Sequence, residues 1–147
     1  MTLRRGTLDD LPAVTALQRA AYAKNRPLLG VEPLPLLADY AQVFADYEVY
    51  LAERDGRLDG VLILEPRTDD LLIWSVAVAP AAQGRGVGNT MLTFAEARAR
   101  ELGVACIRLY TGEPLTANIA WYRRHGYAHE RLEDMGDRCI MHLIKQL

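Results

Sequence analysis

The chain has 147 residues, enough for one ordinary domain covering 1–147 and little more. Half of its residues are hydrophobic and 24% are charged, the balance of a soluble protein that buries a core. Seventeen basic against nineteen acidic residues give a net charge of -2, which argues against nucleic acid as a partner. No stretch approaches the ~20 unbroken apolar residues of a membrane-spanning helix. No apolar run follows the charges of Met1 to Gly6, so neither a membrane nor a secretory signal is expected, and cytoplasmic residence is the default. Cys106 and Cys139 fit neither a disulfide framework nor a metal-ligand spacing, and Cys106 lies in an apolar run as a small buried hydrophobe would. His125, His129 and His142 form no metal spacing either, so no metal is expected.

In chain order, Thr2 to Arg5 reads as a first strand. Thr7 with Asp10 three residues on starts a helix, and Leu11, Val14, Leu17, Ala20 and Ala21 carry it to about Tyr22. Asn25, Pro27, Gly30 and Pro33 break the chain, and a second helix is predicted from Pro35 to Asp46. The period then changes. Val49 to Glu53 and Leu58 to Glu65 read as strands joined by the turn Asp55-Gly56-Arg57, and Leu71 to Val78 as a third. After the breakers at Pro80 to Gly88, a long helix carries Val87, Met91, Leu92, Ala95, Ala99 and Leu102, with Gly103 closing it. Val104 to Tyr110 is a strand, Ala117 to His125 a short helix, and Tyr127 to Glu133 and Arg138 to Ile144 an antiparallel pair. The order β-α-α-β-β-β-α-β-α-β-β is that of a single mixed α/β domain.

The segment Val76 to Gly88 runs from a strand, through a loop with glycines at 84, 86 and 88, into a helix. A helix start presents unpaired N–H groups and the positive end of its dipole, which suits a phosphate. Glycines let an anion approach the backbone, and Arg85 adds a charge within reach. Taken alone, such glycines equally make a strained turn. A P-loop is excluded because Asn89 and Thr90, not Lys and Ser or Thr, follow Gly88, and a dinucleotide fingerprint because position 89 is not Gly.

Gln83-x-x-Gly86-x-Gly88, approached through Val76-Ala77-Val78-Ala79-Pro80, resembles the Gln/Arg-x-x-Gly-x-Gly/Ala pattern of the GNAT superfamily of N-acetyltransferases. Asn118 to Tyr127 is similar to that family's later region, and the element order agrees along nearly the whole chain. The resemblance implies a central twisted mixed sheet in which the strand of Val76 to Val78 and the strand of Val104 to Tyr110 run parallel and splay apart. It implies acetyl-CoA as cosubstrate and direct attack on it by a primary amine, of a small molecule or of a protein. Val76, Ala77 and Val78 would hold the pantetheine arm, with the Val78 N–H on the thioester carbonyl. Gln83, Gly84, Arg85, Gly86, Val87, Gly88 and Asn89 would hold the pyrophosphate. Asn118 would contact the cofactor, or cap its helix.

Tyr122 stands where the family places its proton donor for the leaving thiolate, and its other reading is an ordinary aromatic packed beside Trp121. Many relatives supply a Glu base from the strand before the loop, but Leu72 to Val76 contains no carboxylate. Glu65, Glu113 or ordered water remain as candidates. Trp74 reads as core or pocket wall, and Tyr22, Asn25, Arg26 and Glu32 as either acceptor-site groups or plain loop residues. The competing function is a non-catalytic acyl-CoA-binding module. A homodimer through the late strands is a further family-based expectation, and acyl-chain preference stays open.

Overall fold

The computed structural model describes residues 2–147. Strand β1 (Leu3–Arg5) leads into a 3-10 turn at Leu8–Asp10, and helix α1 follows at Leu11–Tyr22. The Thr7 N–H donates to Asp10 Oδ2 at 2.9 Å, as the spacing of the two residues predicts. A single-turn helix α2 (Arg26–Leu29) ends at Gly30, whose left-handed backbone (φ 72°) reverses the chain. Helix α3 (Tyr40–Asp46) is shorter than expected. Pro35 sits instead in a 3-10 turn, and the helix starts where the Asp39 carboxylate accepts the Ala41 N–H at 3.0 Å. Leu36 and Leu37 therefore fall outside it, and Leu37 is exposed.

Strands β2 (Glu48–Arg54) and β3 (Arg57–Pro66) form a hairpin. Its turn holds Asp55 and Gly56 at φ 53° and 74°, the two positive angles that the Asp-Gly pair accommodates. Strand β4 (Leu71–Val78) and helix α4 (Val87–Leu102) lie where the periodicity places them, with Gly103 closing the helix at φ 73°. Strand β5 (Cys106–Gly112), helix α5 (Thr116–Arg124) and strands β6 (Ala128–Asp134) and β7 (Cys139–Gln146) complete the chain. Relative to the sequence reading, the element order gains only α2.

One seven-stranded sheet has the order β1-β2-β3-β4-β5-β7-β6, and among the described residues its one parallel pair is β4 with β5. Strand β3, between β2 and β4, is apolar on both faces. Val61 and Ile63 join Val14, Leu17 and Val43 under α1 and α3, while Leu62 and Leu64 join Met91, Leu92 and Ala95 under α4. The β4–β5 pairing covers only Leu71 to Ile73, against Ile107 to Leu109. Trp74 is then an extra residue in the β3–β4 ladder, a bulge that bends β4 away from β5. Beyond it β4 stays paired to β3 as far as Val78, and a V opens on its other side.

Candidate active site

After β4 the chain makes a 3-10 turn at Pro80–Ala82 and passes through Gly84 (φ 80°) and Gly86 (φ 81°) into α4. A Cβ at either glycine would meet nothing within 4 Å, so their role is the left-handed backbone rather than close packing. Thr90 is the first residue of α4 whose N–H finds a helical acceptor, the Gly86 carbonyl at 3.0 Å. Among the described residues, the main-chain N–H groups of Gln83 to Asn89 donate to no protein acceptor. A run of free amides at the positive end of a 16-residue helix fits an anion of pyrophosphate size. Gln83 and Arg85 are exposed beside it.

Gly88 has a different task. A Cβ there would stand 3.0 Å from Trp121 Cζ2, so the missing side chain lets the Trp121 ring lie closer to the start of α4 than any other residue would allow without a shift. The main-chain N–H of Asn89 belongs to the free run, while its side chain meets His125 Nε2 at 2.8 Å, tying the two helices together. The His125 Nδ1 lies 2.8 Å from the Trp121 carbonyl. Trp121 and His125 are therefore structural partners of the loop that the sequence pattern did not single out.

From the loop a trough continues into the V. Val78, Gln83, Gly88 and Trp121 line both the loop recess and the next one, and Val76, Asn118, Tyr122 and Tyr22 line that recess together with an inner cavity. The inner cavity and its mouth together span about 800 Å³, open solvent at the mouth included. The main-chain groups along its β4 side can be oriented. The Ala79 N–H donates to the Asp59 carbonyl at 2.8 Å on the β3 side, whereas the Val76 carbonyl lies 3.4 Å from Tyr22 Oη on the open side. With the alternation of a strand, the polar groups of Val76 and Val78 face the V and those of Ala77 face β3.

A buried network fixes that wall. Gln18, fully buried on α1, donates to Tyr40 Oη at 2.9 Å and to Ser75 Oγ at 3.0 Å, and Tyr22 Oη lies 2.8 Å from Ser75 Oγ. Ser75 thus occupies the strand with a hydroxyl that binds α1 to β4. Trp74 is half-buried on the cavity wall, edge-on to Tyr40 at 6.1 Å between centroids.

Tyr122 stands on α5 where the two recesses meet, its ring 5.0 Å from Trp121 and 5.9 Å from Tyr127. Its hydroxyl makes no hydrogen bond to the described residues, and burial, with the Tyr22 and Tyr127 phenols nearby, pushes its pKa far above the ordinary phenol value. Asn118 is the third residue of α5, which begins at Thr116 with Leu115 in the capping position. The capping alternative for Asn118 therefore fails, and its side chain is left to the trough. Of the candidate bases, Glu65 on β3 and Glu113 after β5 line neither recess containing Tyr122. Tyr22 and Asn25 line the cavity, whereas Arg26 and Glu32 pair with one another at 2.8 Å. Cys106 is buried in β5, and Cys139 lines the cavity as a free thiol. Among the described residues no helix is long and apolar enough to cross a membrane.

Residues 12–127 match the sequence profile of the acetyltransferase (GNAT) family. The chain is 30% identical over 135 residues to an amino-acid acetyltransferase of Ralstonia nicotianae, a match covering 90% of this chain and 28% of that protein. The curated relatives that it matches are longer proteins, of which it spans less than half. In fold it is similar to a ribosomal-protein-alanine N-acetyltransferase from Brucella melitensis (TM-score 0.77, 24% identity, all of both chains). It is also similar to the PaiA N-acetyltransferase from Thermoplasma acidophilum in complex with coenzyme A (TM-score 0.76, 17% identity, 99% of this chain and 98% of that one).

Proposed function

Because the chain belongs to the GNAT acetyltransferase family, we propose that it transfers an acetyl group from acetyl-CoA to a primary amine, on a small molecule or a protein. One observation carries this reading: three recesses, each sharing lining residues with the next, lead from the free amides of Gln83 to Asn89, along the open edge of β4, to Tyr122 and the inner cavity. The residues present fit the cosubstrate at each stage of that path. The loop amides and Arg85 would hold the pyrophosphate. Val76 and Val78 would pair with the pantetheine arm as an added strand does. Asn118 and Trp121 would close the other side.

When bound, acetyl-CoA supplies a thioester carbonyl open to an amine. The Val78 N–H, fixed in the strand, favours charge developing on that carbonyl oxygen. Tyr122 keeps its proton at neutral pH and gives it to the departing sulfur. The amine's own proton passes to solvent at the cavity mouth, since neither Glu65 nor Glu113 lines the cavity.

Thiol release from acetyl-, propionyl- and succinyl-CoA across a panel of amines tests the proposal, with the acetyl donor expected to turn over fastest. Tight coenzyme A binding without turnover of any amine would replace it with the sensing-module reading. A homodimer through β6, whose edge carries the exposed Leu132, accompanies the proposal and is checked by sedimentation.

A further inference from the structure

The inner cavity has a wall chemistry that narrows the acceptor. Leu29, Pro33, Leu34, Leu115 and Ile140 give it an apolar lining. Among the described residues neither carboxylate nor imidazole lines it, and its titratable side chains are Tyr22, Tyr110, Tyr122, Cys139 and Arg138. Burial pushes the three phenols and the Cys139 thiol above their ordinary values, so none of these four is an ionised base near neutrality.

The charge on this wall is a cation. The Arg138 side chain, just before β7, is only 8% exposed. Its Nη1 donates to the Glu32 carbonyl at 2.7 Å, and its Nε and Nη2 donate to the Asp137 carboxylate at 3.2 and 3.1 Å. A guanidinium carries five N–H donors, so these contacts leave one on each terminal nitrogen. Asp137 is 59% exposed, and solvent screening leaves its neutralisation of Arg138 incomplete.

Each feature constrains a different part of the acceptor. Spare donors on a nearly buried guanidinium suit a carboxylate, held by charge-assisted hydrogen bonds. A wall without a base gives an alkylammonium neither a counter-charge nor a proton acceptor. Such an amine, with a pKa of about 10.4, is neutral in fewer than about one molecule per thousand at pH 7. A peptide-type α-amine, at about 7.7–8.0, is neutral in roughly one per ten. Resting on the acetyl-transfer reading above, we infer that the acceptor is a weakly basic, peptide-type α-amine on a small apolar residue, with a carboxylate that Arg138 holds. Its nitrogen forms the new bond to the acetyl carbon as the carbon–sulfur bond breaks. The sulfur takes the Tyr122 proton, the nitrogen releases one proton to solvent, and solvent restores the phenol.

Four acceptors with the same isobutyl body separate the two constraints: leucyl-glycine (weakly basic, anionic), leucinamide (weakly basic, no anion), leucine (more basic, anionic) and 3-methylbutylamine (basic, no anion). Thiol release from acetyl-CoA is followed with the full chain at pH 7. The expected order of kcat/KM places leucyl-glycine first and 3-methylbutylamine last, about a hundredfold or more apart, the ratio of their neutral fractions. Arg138→Gln should raise KM for leucyl-glycine about tenfold or more, a clearly larger loss than on leucinamide, while Arg138→Lys keeps part of the preference. A coenzyme A melting shift equal to that of the unaltered chain verifies that each variant is folded. If a variant does not fold, the four-acceptor order on the unaltered chain decides. Equal use of 3-methylbutylamine and leucyl-glycine overturns the inference alone, as does an equal loss on both weakly basic acceptors in Arg138→Gln. No thiol release with any amine of a wider panel overturns the transfer reading, and the inference with it.

Discussion

Tyr122 illustrates how a single side chain can be held in one protonation state by its surroundings. Its phenol opens onto the junction of two recesses yet lies among aromatic rings, where an ionised oxygen would be poorly solvated. The raised pKa means that the proton remains available through the neutral and mildly alkaline range, so ionisation of this group costs no rate below its ordinary pKa of about 10. Tyr122→Phe removes the proton and keeps the ring packing. It should lower kcat about a hundredfold, the lower end of general acid contributions, with little change in acetyl-CoA affinity. Steady-state kinetics beside a direct binding titration check both parts, and unchanged turnover would remove Tyr122 from the mechanism.

At the scale of elements, the V depends on being closed at one end and open at the other. Asp70, just before β4, lies between Arg67, with contacts of 2.6 Å, and Arg108 of β5, at 2.8 Å. Arg108 is also the register partner of Leu72, so the ion pair clips β4 to β5 where their ladder exists, and the Trp74 bulge parts them beyond it. The hydrogen bond from Arg67 comes first, and that from Arg108 adds to it, in holding the Asp70 carboxyl below the usual carboxylate range. A depressed folded-state pKa stabilises the protein above the unfolded value near 3.8, and that contribution is lost as pH falls through the folded value. Asp70→Asn should therefore cost about 2 kcal/mol at pH 7 and less in strong acid, measured by urea unfolding across pH. This clip is not legible in the sequence, where nothing local links Asp70 to Arg108, 38 residues away. What was legible followed from strong local signals. Strand β4 and helix α4 kept the limits expected of them because an apolar run and a 3.6-residue period are each bounded by breakers. The stretch from Pro35 to Asp39 differs from the sequence reading because Leu36 and Leu37 suit a helical face, while the Asp39 carboxylate, capping the Ala41 and Gln42 N–H groups, starts the helix at Tyr40.

The whole molecule divides its legibility in the same way. The loop and Tyr122 lie in two contiguous motifs, so sequence could point to both. The inner cavity is assembled from the end of α1, α2, β4, β5, α5 and the start of β7, and no local pattern announces that Leu29, Tyr110 and Arg138 share one wall. That dispersal has a thermodynamic consequence. The trough touches α1 through Tyr22, β4 through Val76, α4 through Gly88 and α5 through Trp121, so a ligand lying along it would join elements from both faces of the sheet. Binding to the folded state alone stabilises by about 2.7 kcal/mol at a ligand concentration of 100 Kd. For a domain of this size each kcal/mol raises Tm by roughly 2–4 °C, which gives an expected shift of about 5–10 °C with coenzyme A. Gly86→Glu adds a bulky carboxylate at φ 81° among the free amides, where it opposes a diphosphate by charge and strains the backbone. That variant should lose at least about tenfold in coenzyme A affinity, and most of the Tm shift with it. A shift of equal size in both proteins would mean that the ligand sits elsewhere than on the loop amides.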